Sequence, residues 1–248
     1  MLDFHKLKNS IEKGLSNSVY LSKELSGEIN GLITAEYFIT TNIALAINSD
    51  FNKNSNNEYS QFLKIVIENR VNEFYDKSFP EFNKDLFNME LFNASNLTLK
   101  NQNLRYKRGK IDIGIYSNNN TPITLIEVKK YSPTPAEFGK DLNRIRAIID
   151  NIENTGSSII SKGYIAFAFQ NDKRYKGSPK TRTNKTINKY EKIIKQNGLK
   201  DRVSISKYIF SNSYNGDLER DDYAINDNHF FGGLIVEINE KTLPNSGS

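Results

Sequence analysis

One stretch constrains this chain more than any other: Arg105 to Tyr131, RYKRGKIDIGIYSNNNTPITLIEVKKY. Two β-rich runs, Lys110–Tyr116 and Ile123–Lys130, flank Ser-Asn-Asn-Asn-Thr-Pro, a cluster of turn formers. The pattern predicts an antiparallel hairpin. Closure about Asn119 and Asn120 sets Asp112 directly opposite Glu127. Side chains alternate faces along a strand, so Gly114, Leu125 and Lys129 share the face of Asp112 and Glu127. The other face carries Ile111, Ile113, Ile115, Ile126 and Val128, all β-branched, and is expected to be buried.

The polar face is the unusual one. Opposed carboxylates repel, and each raises the other's pKa unless positive charge stands between them. A divalent cation meets that need, since carboxylate oxygens suit Mg²⁺. Lys129 points to the same side, where its ammonium can serve an attacking water or a phosphate oxygen. An Asp, a Glu and a Lys around one hard metal is equipment for metal-assisted phosphodiester hydrolysis. An exposed strand with Glu127 and Lys129 as an ordinary surface pair has the same local pattern. Three features favour the site: Asp112 opposite Glu127, the wholly apolar reverse face, and the basic residues just ahead of the first strand.

Asp112, then fourteen residues, then Glu127-Val128-Lys129 on a strand resembles the PD-(D/E)xK nuclease superfamily. Ile111 stands at the family's nominal proline, a variable position. The resemblance implies an α/β, restriction-endonuclease-like core, with a central mixed β-sheet flanked by helices. It implies Mg²⁺, or Mn²⁺, held by Asp112, Glu127 and the Val128 carbonyl, with Lys129 beside the reacting phosphate. Members often add a Glu from a helix ahead of the hairpin, which makes Glu36 a further candidate. The function implied is a Mg²⁺-dependent DNA endonuclease of restriction or phage-defence type, with a homodimer or a defence-system partner in view. The alternatives are a catalytically silent nucleic-acid- or protein-binding member of the fold, an RNA-cleaving nuclease, or an unrelated α/β binding protein.

Charge is consistent with a polyanionic substrate. Lys and Arg number 34 against 29 Asp and Glu in 248 residues, a net of +5. The basic residues concentrate ahead of the first strand (Arg105, Lys107, Arg108, Lys110) and in the loop-like NDKRYKGSPKTRTNK. Within the latter, Lys173, Arg174, Lys176 and Arg182 are expected to grip phosphate. The absence of cysteine excludes disulfides, thiolate zinc sites and cysteine nucleophiles. His5 and His229 are too far apart in the chain to suggest a histidine metal site. No apolar run approaches bilayer length, and Met1–Lys6 lacks a signal-peptide layout, so a cytoplasmic protein with no membrane partner is expected.

The remaining chain supplies helices and strands in order. Residues 3–26 have helical spacing, with a break expected at Gly14 or Asn17. Residues 32–48 are a mostly apolar helix. Glu36 lies inside it without a basic partner three or four positions away, and is either a ligand or solvent-facing. Residues 61–75 fit helix or strand, with helix favoured; residues 79–100 read as a short helix and a strand. Residues 136–154 form a helix with Thr134 as N-cap, Pro135 in the first turn and Glu137 in the capping-box position. It is expected on the apolar hairpin face or the adjoining sheet. Residues 164–169, YIAFAF, predict a central strand covered on both faces. Residues 183–197 predict a helix ended by Gly198, and 203–210 and 230–238 predict strands, with Gly232-Gly233 marking a bulge or close approach. The expected organisation is a helical region over 1–100 packed on a nuclease core over 101–243, with a disordered tail at 244–248.

Overall fold

A computed structural model describes residues 2–26, 35–53, 62–71, 74, 109–154, 160–171, 179–210 and 230–240. Among the described residues, six strands form one mixed sheet: β1 (Lys64–Arg70), β2 (Lys110–Tyr116), β3 (Pro122–Lys129), β4 (Lys162–Asn171), β5 (Val203–Phe210) and β6 (Phe230–Asn239). Their spatial order is β1-β2-β3-β4-β6-β5. All neighbours are antiparallel except β3 and β4, which run parallel across the crossover helix. The helices are α1 (Phe4–Ser26), α2 (Glu36–Asn48), α3 (Pro135–Asn154) and α4 (Pro179–Gln196). The protein is thus α/β, with helices on both faces of the sheet.

The hairpin has the anticipated register. Ile113 pairs with Ile126, Gly114 with Leu125 and Ile115 with Thr124. Continuing this register sets Asp112 opposite Glu127. A bulge at Tyr116, which pairs with Pro122, absorbs the asymmetry of the turn.

β4 is the centre of the sheet because both its faces are apolar. Tyr164, Ala166 and Ala168 join α1 and α2 in one cluster; Ile165, Phe167 and Phe169 join α3 and α4 in the other. The rings of Phe138 on α3 and Phe167 on β4 each lie 4.8 Å from Tyr190 on α4, which fastens both helices to the strand. The Tyr190 hydroxyl donates to the Pro133 carbonyl at 3.0 Å, tying α4 to the end of β3. At the start of α3, Glu137 Oε2 accepts from Thr134 N–H at 2.8 Å and Glu137 N–H donates to Thr134 Oγ1 at 3.2 Å, the reciprocal pair of a capping box.

Two local expectations are corrected, and a third is narrowed to one of its alternatives. Residues 64–70 are a strand, not a helix: the β-branched run Ile65-Val66-Ile67 pairs with β2 as the sheet's edge. The sheet therefore draws a strand from the chain's first hundred residues. α1 runs unbroken through Gly14, where a Cβ would lie 2.4 Å from Ile43 Cα. That glycine lets two helices touch and does not end one. Of the two surfaces expected for α3, it takes the adjoining sheet, over Ile165 and Phe167 of β4, and not the β-branched face of the hairpin. α1 and α2 take that face, over Ile113, Ile115, Ile126 and Val128, while Ile111 falls in the α3 cluster with Val71 and Phe74.

Candidate active site

α3 lies over the face that carries Asp112, Glu127 and Lys129, and so the acidic pair is enclosed. Glu127 is 1% exposed, and the side chains of Asp112 and Lys129 are 19% and 14% exposed. Carboxylates placed so deep need compensation. Asp112 Oδ2 accepts the Val128 backbone N–H at 2.7 Å. The register of the hairpin sets the Asp112 and Glu127 carboxyls opposite each other, so that each acid is a neighbour of the other. Burial pushes the Glu127 carboxyl well above its ordinary pKa, and the charge of Asp112 adds to the rise against the pull of Arg144. Asp112 is also raised by burial, only partly offset by Lys129 and the Val128 N–H.

Lys129 gathers acids from three elements. Its Nζ lies 3.3 Å from Glu36 Oε1 on α2, 3.4 Å from Asp141 Oδ2 on α3 and 3.9 Å from Asp112 Oδ2 on β2. Burial opposes its charge, but Asp141, Asp112, Glu36 and Glu127 outweigh burial and hold its pKa above the ordinary lysine value. Glu36 also accepts the Lys130 backbone N–H at 3.4 Å. It is the first residue of α2 and reaches around the end of β3 from the opposite layer.

Two residues of this cluster were not singled out as site residues from sequence. Arg144 Nη1 donates to Glu127 Oε1 at 2.8 Å and to the Lys110 carbonyl at 3.0 Å. Asp141, its side chain 4% exposed, stands 3.7 Å from Arg144. Asp141 Oδ2 is buried and no hydrogen bond satisfies it. The ammonium of Lys129 meets it at ion-pair distance but off hydrogen-bond geometry. A sequence signal existed: Asp141 falls between Phe138 and Ile145 at three- and four-residue spacing, on the side of α3 that faces the sheet.

The structure places the other expected site residues as follows. Lys110 begins β2, exposed, and pairs with Glu68, which sits mid-strand with a positive φ of 52°. Glu68 thus serves the rim and Glu36 the cluster. Arg182 is corrected: α4 begins at Pro179, and the side that packs on the sheet, with Thr183, Ile187 and Tyr190, encloses Arg182 at 2% exposure. It cannot grip a phosphate from there. Arg105, Lys107, Arg108, Lys173, Arg174 and Lys176 lie outside the described residues, as do the elements expected over 79–100, His229 and the 244–248 tail.

Four carboxyls (Glu36, Asp112, Glu127, Asp141) face two cations (Lys129, Arg144), a formal deficit of two positive charges. The donors are all hard oxygen, and one of them, Asp141 Oδ2, lacks a hydrogen bond. Both features fit a divalent cation of the Mg²⁺ kind. Among the described residues, no three acids or imidazoles enclose a cation as they stand. Arg144 and Lys129 hold the carboxylates instead.

No family model, no curated protein and no solved structure matches the chain. Among the described residues, no helix is long and apolar enough to cross a membrane.

Proposed function

We propose that this protein is a Mg²⁺-dependent endonuclease of the PD-(D/E)xK type with a restriction-endonuclease-like core, acting on DNA. The observation that carries the reading is the register that sets Asp112 opposite the buried Glu127 on adjacent strands, with the Lys129 ammonium 3.9 Å from Asp112. Asp112 and Glu127, with the Val128 carbonyl, would hold Mg²⁺ or Mn²⁺. Bound there, the ion supplies an activated water and offsets charge on phosphorus. Lys129 keeps its proton, and so it acts by charge and donation toward a phosphate oxygen or water rather than as a base. Glu36 and Asp141 fix its direction. Arg144 holds Glu127 in place.

Basic groups near the site are suited to position the phosphate backbone without reading sequence. A restriction or phage-defence role, a homodimer and a defence-system partner belong to the same proposal. The test is direct. Purified protein is incubated with plasmid DNA and with RNA, with Mg²⁺ or EDTA, beside Lys129→Ala and Asp112→Ala. Mg²⁺-dependent DNA cleavage lost in both variants is the expected result.

One observation favours a second reading. Arg144 occupies Glu127 Oε1 at 2.8 Å, where a ligand to a cation would keep a lone pair open. If the pairing is permanent, the protein is a silent member of the fold that binds nucleic acid or protein without cutting. Intact plasmid and RNA in every condition, together with no Mg²⁺ binding by calorimetry, would establish that reading.

A further inference from the structure

Basic residues are shared out unevenly along this chain. From Pro179 to Lys207 there are nine Lys and Arg against Glu191 and Asp201, a net of +7, whereas the whole chain carries +5 and its remainder is net −2. Arg182 is buried, and Arg202 is held by Asp150 at 2.7 Å. Lys185, Lys189, Lys192, Lys195, Lys200 and Lys207 are exposed. Steps of four and three residues from Lys185 to Lys189 to Lys192 line these ammonium groups along one side of α4.

An open groove of about 770 Å³ lies between α4 and β5. Its charged lining is Lys192, Lys195, Lys200 and Lys207 against the one carboxylate Glu191, a net of +3; its floor is Ile187, Ile194, Val203 and Ile205. Asn184 and Asn188 add hydrogen-bonding groups, and Lys207 Nζ donates to Asn184 at 3.1 Å.

We propose that this groove is a track for the phosphate backbone of duplex nucleic acid. Four ammonium groups in an open trough match a ladder of phosphates, the contact that supplies most sequence-independent binding. Among the described residues, the groove lining contains no aromatic ring, and single-strand binders depend on rings to stack unpaired bases. A membrane surface fits poorly. Ile187 and Ile194 lie at the bottom of the groove and Tyr190 in the core, so α4 presents no exposed apolar side to a lipid interface.

The track is suitably placed for the site. β5 is three strand steps from β3, about 14 Å at ordinary strand spacing. That is close to the width of one duplex groove, about 12 Å. Lys189 Nζ donates to the Pro133 carbonyl at 3.2 Å, so the lysine row passes beside the chain that follows β3. Its assignment to substrate binding rests on the nuclease reading; the binding itself does not.

The test is equilibrium binding without cleavage. A fluorescent DNA duplex, its single strand and anionic lipid vesicles are titrated in EDTA over a range of salt. The full chain is compared with Lys192→Glu/Lys195→Glu/Lys207→Glu, and with Lys6→Glu/Lys8→Glu/Lys64→Glu as an equal charge reversal away from α4. The expected result is a slope of log affinity against log salt shallower by about 2.7 for the groove variant, about 0.9 per lysine. The control variant should keep nearly the full slope, and duplex should be bound over single strand. Equal slopes in the full chain and groove variant, an equal loss in both variants, or a preference for vesicles or single strand would overturn the proposal. Absence of cleavage by the full chain bears only on the nuclease reading.

Discussion

Arg144 Nη1 donates to Glu127 Oε1 at 2.8 Å, joining the middle of the crossover helix to the buried acid of β3. The pair is the hinge between structure and chemistry in this site. Removing the guanidinium leaves a buried carboxyl with Asp112 against it. Arg144→Met should cost about 3 kcal/mol, the lower end for breaking a buried pair, because Glu127 can take up a proton. Adding Glu127→Gln to it should recover much of that loss. Urea unfolding of the two single variants and the double measures the coupling; simple additivity would show that the pair does not act as a unit.

Glu127 also sets a direction for pH. Its folded pKa lies well above the ordinary value of 4.5. The folded state therefore holds more protons than the unfolded state once pH passes that ordinary value. Its contribution to stability then falls as pH rises, until the folded pKa is passed. Asp112 and Asp141 are shifted the same way. In EDTA, the stability of the full chain relative to Glu127→Gln should decline from about pH 4.5 upward. Saturating Mg²⁺ should reverse that decline, since the ion takes the place of the proton. Chemical denaturation at several pH values, with and without Mg²⁺, is the measurement; a pH-independent difference between the two proteins contradicts it.

Lys129 is held by three acids and stays charged. If the nuclease reading holds, Lys129→Ala should lower the cleavage rate by about 10²–10³-fold, the scale for losing one donor aimed at developing charge. Mg²⁺ binding by calorimetry should persist in that variant, because the acidic set is left intact and more negative. Loss of metal binding along with cleavage would mean that Lys129 supports the fold of the site and not its chemistry.

Gly14 makes a prediction remote from the site. An added Cβ would sit 2.4 Å from Ile43 Cα and 2.8 Å from its N. Those are backbone atoms of α2, so a helix must move. Gly14→Ala should cost about 1–3 kcal/mol through overpacking, although alanine favours a helix intrinsically. Thermal unfolding by circular dichroism reads the loss. A gain in stability would show that the two helices separate freely.

Much of the frame was legible because it rests on periods of two and of 3.6 residues. Asp112 against Glu127 followed from counting out from the turn, and the bulge at Tyr116 fell beyond the pairs that matter. YIAFAF announced a strand covered on both sides, and Thr134-Pro135-x-Glu137 announced a capped helix. β1 was misread because Ile65-Val66-Ile67 satisfies both periods over so short a run, and only pairing with β2 decides it. Asp141 and Arg144 lie on α3, and their part in the site depends on α3 covering the polar face of the hairpin. Which face of the hairpin a helix covers depends on the handedness of the crossover and on where α1 and α2 settle, and neither is written locally. Arg182 was misjudged for a related reason: α4 starts earlier than its composition suggests and turns that side chain inward.

The reach of Glu36 around the end of β3 has an outcome for how this molecule can be taken apart. The two helical layers lie on opposite sides of the sheet, yet both hold the same ammonium, one through Glu36 and the other through Asp141. A fragment beginning at the hairpin would keep Asp112, Glu127 and Lys129 in sequence and lose one of the counter-ions that aims Lys129. It would also bare the isoleucines of β2 and β3 that α1 and α2 cover. The stretch from Asp112 to Lys129 is local on paper and indivisible in space.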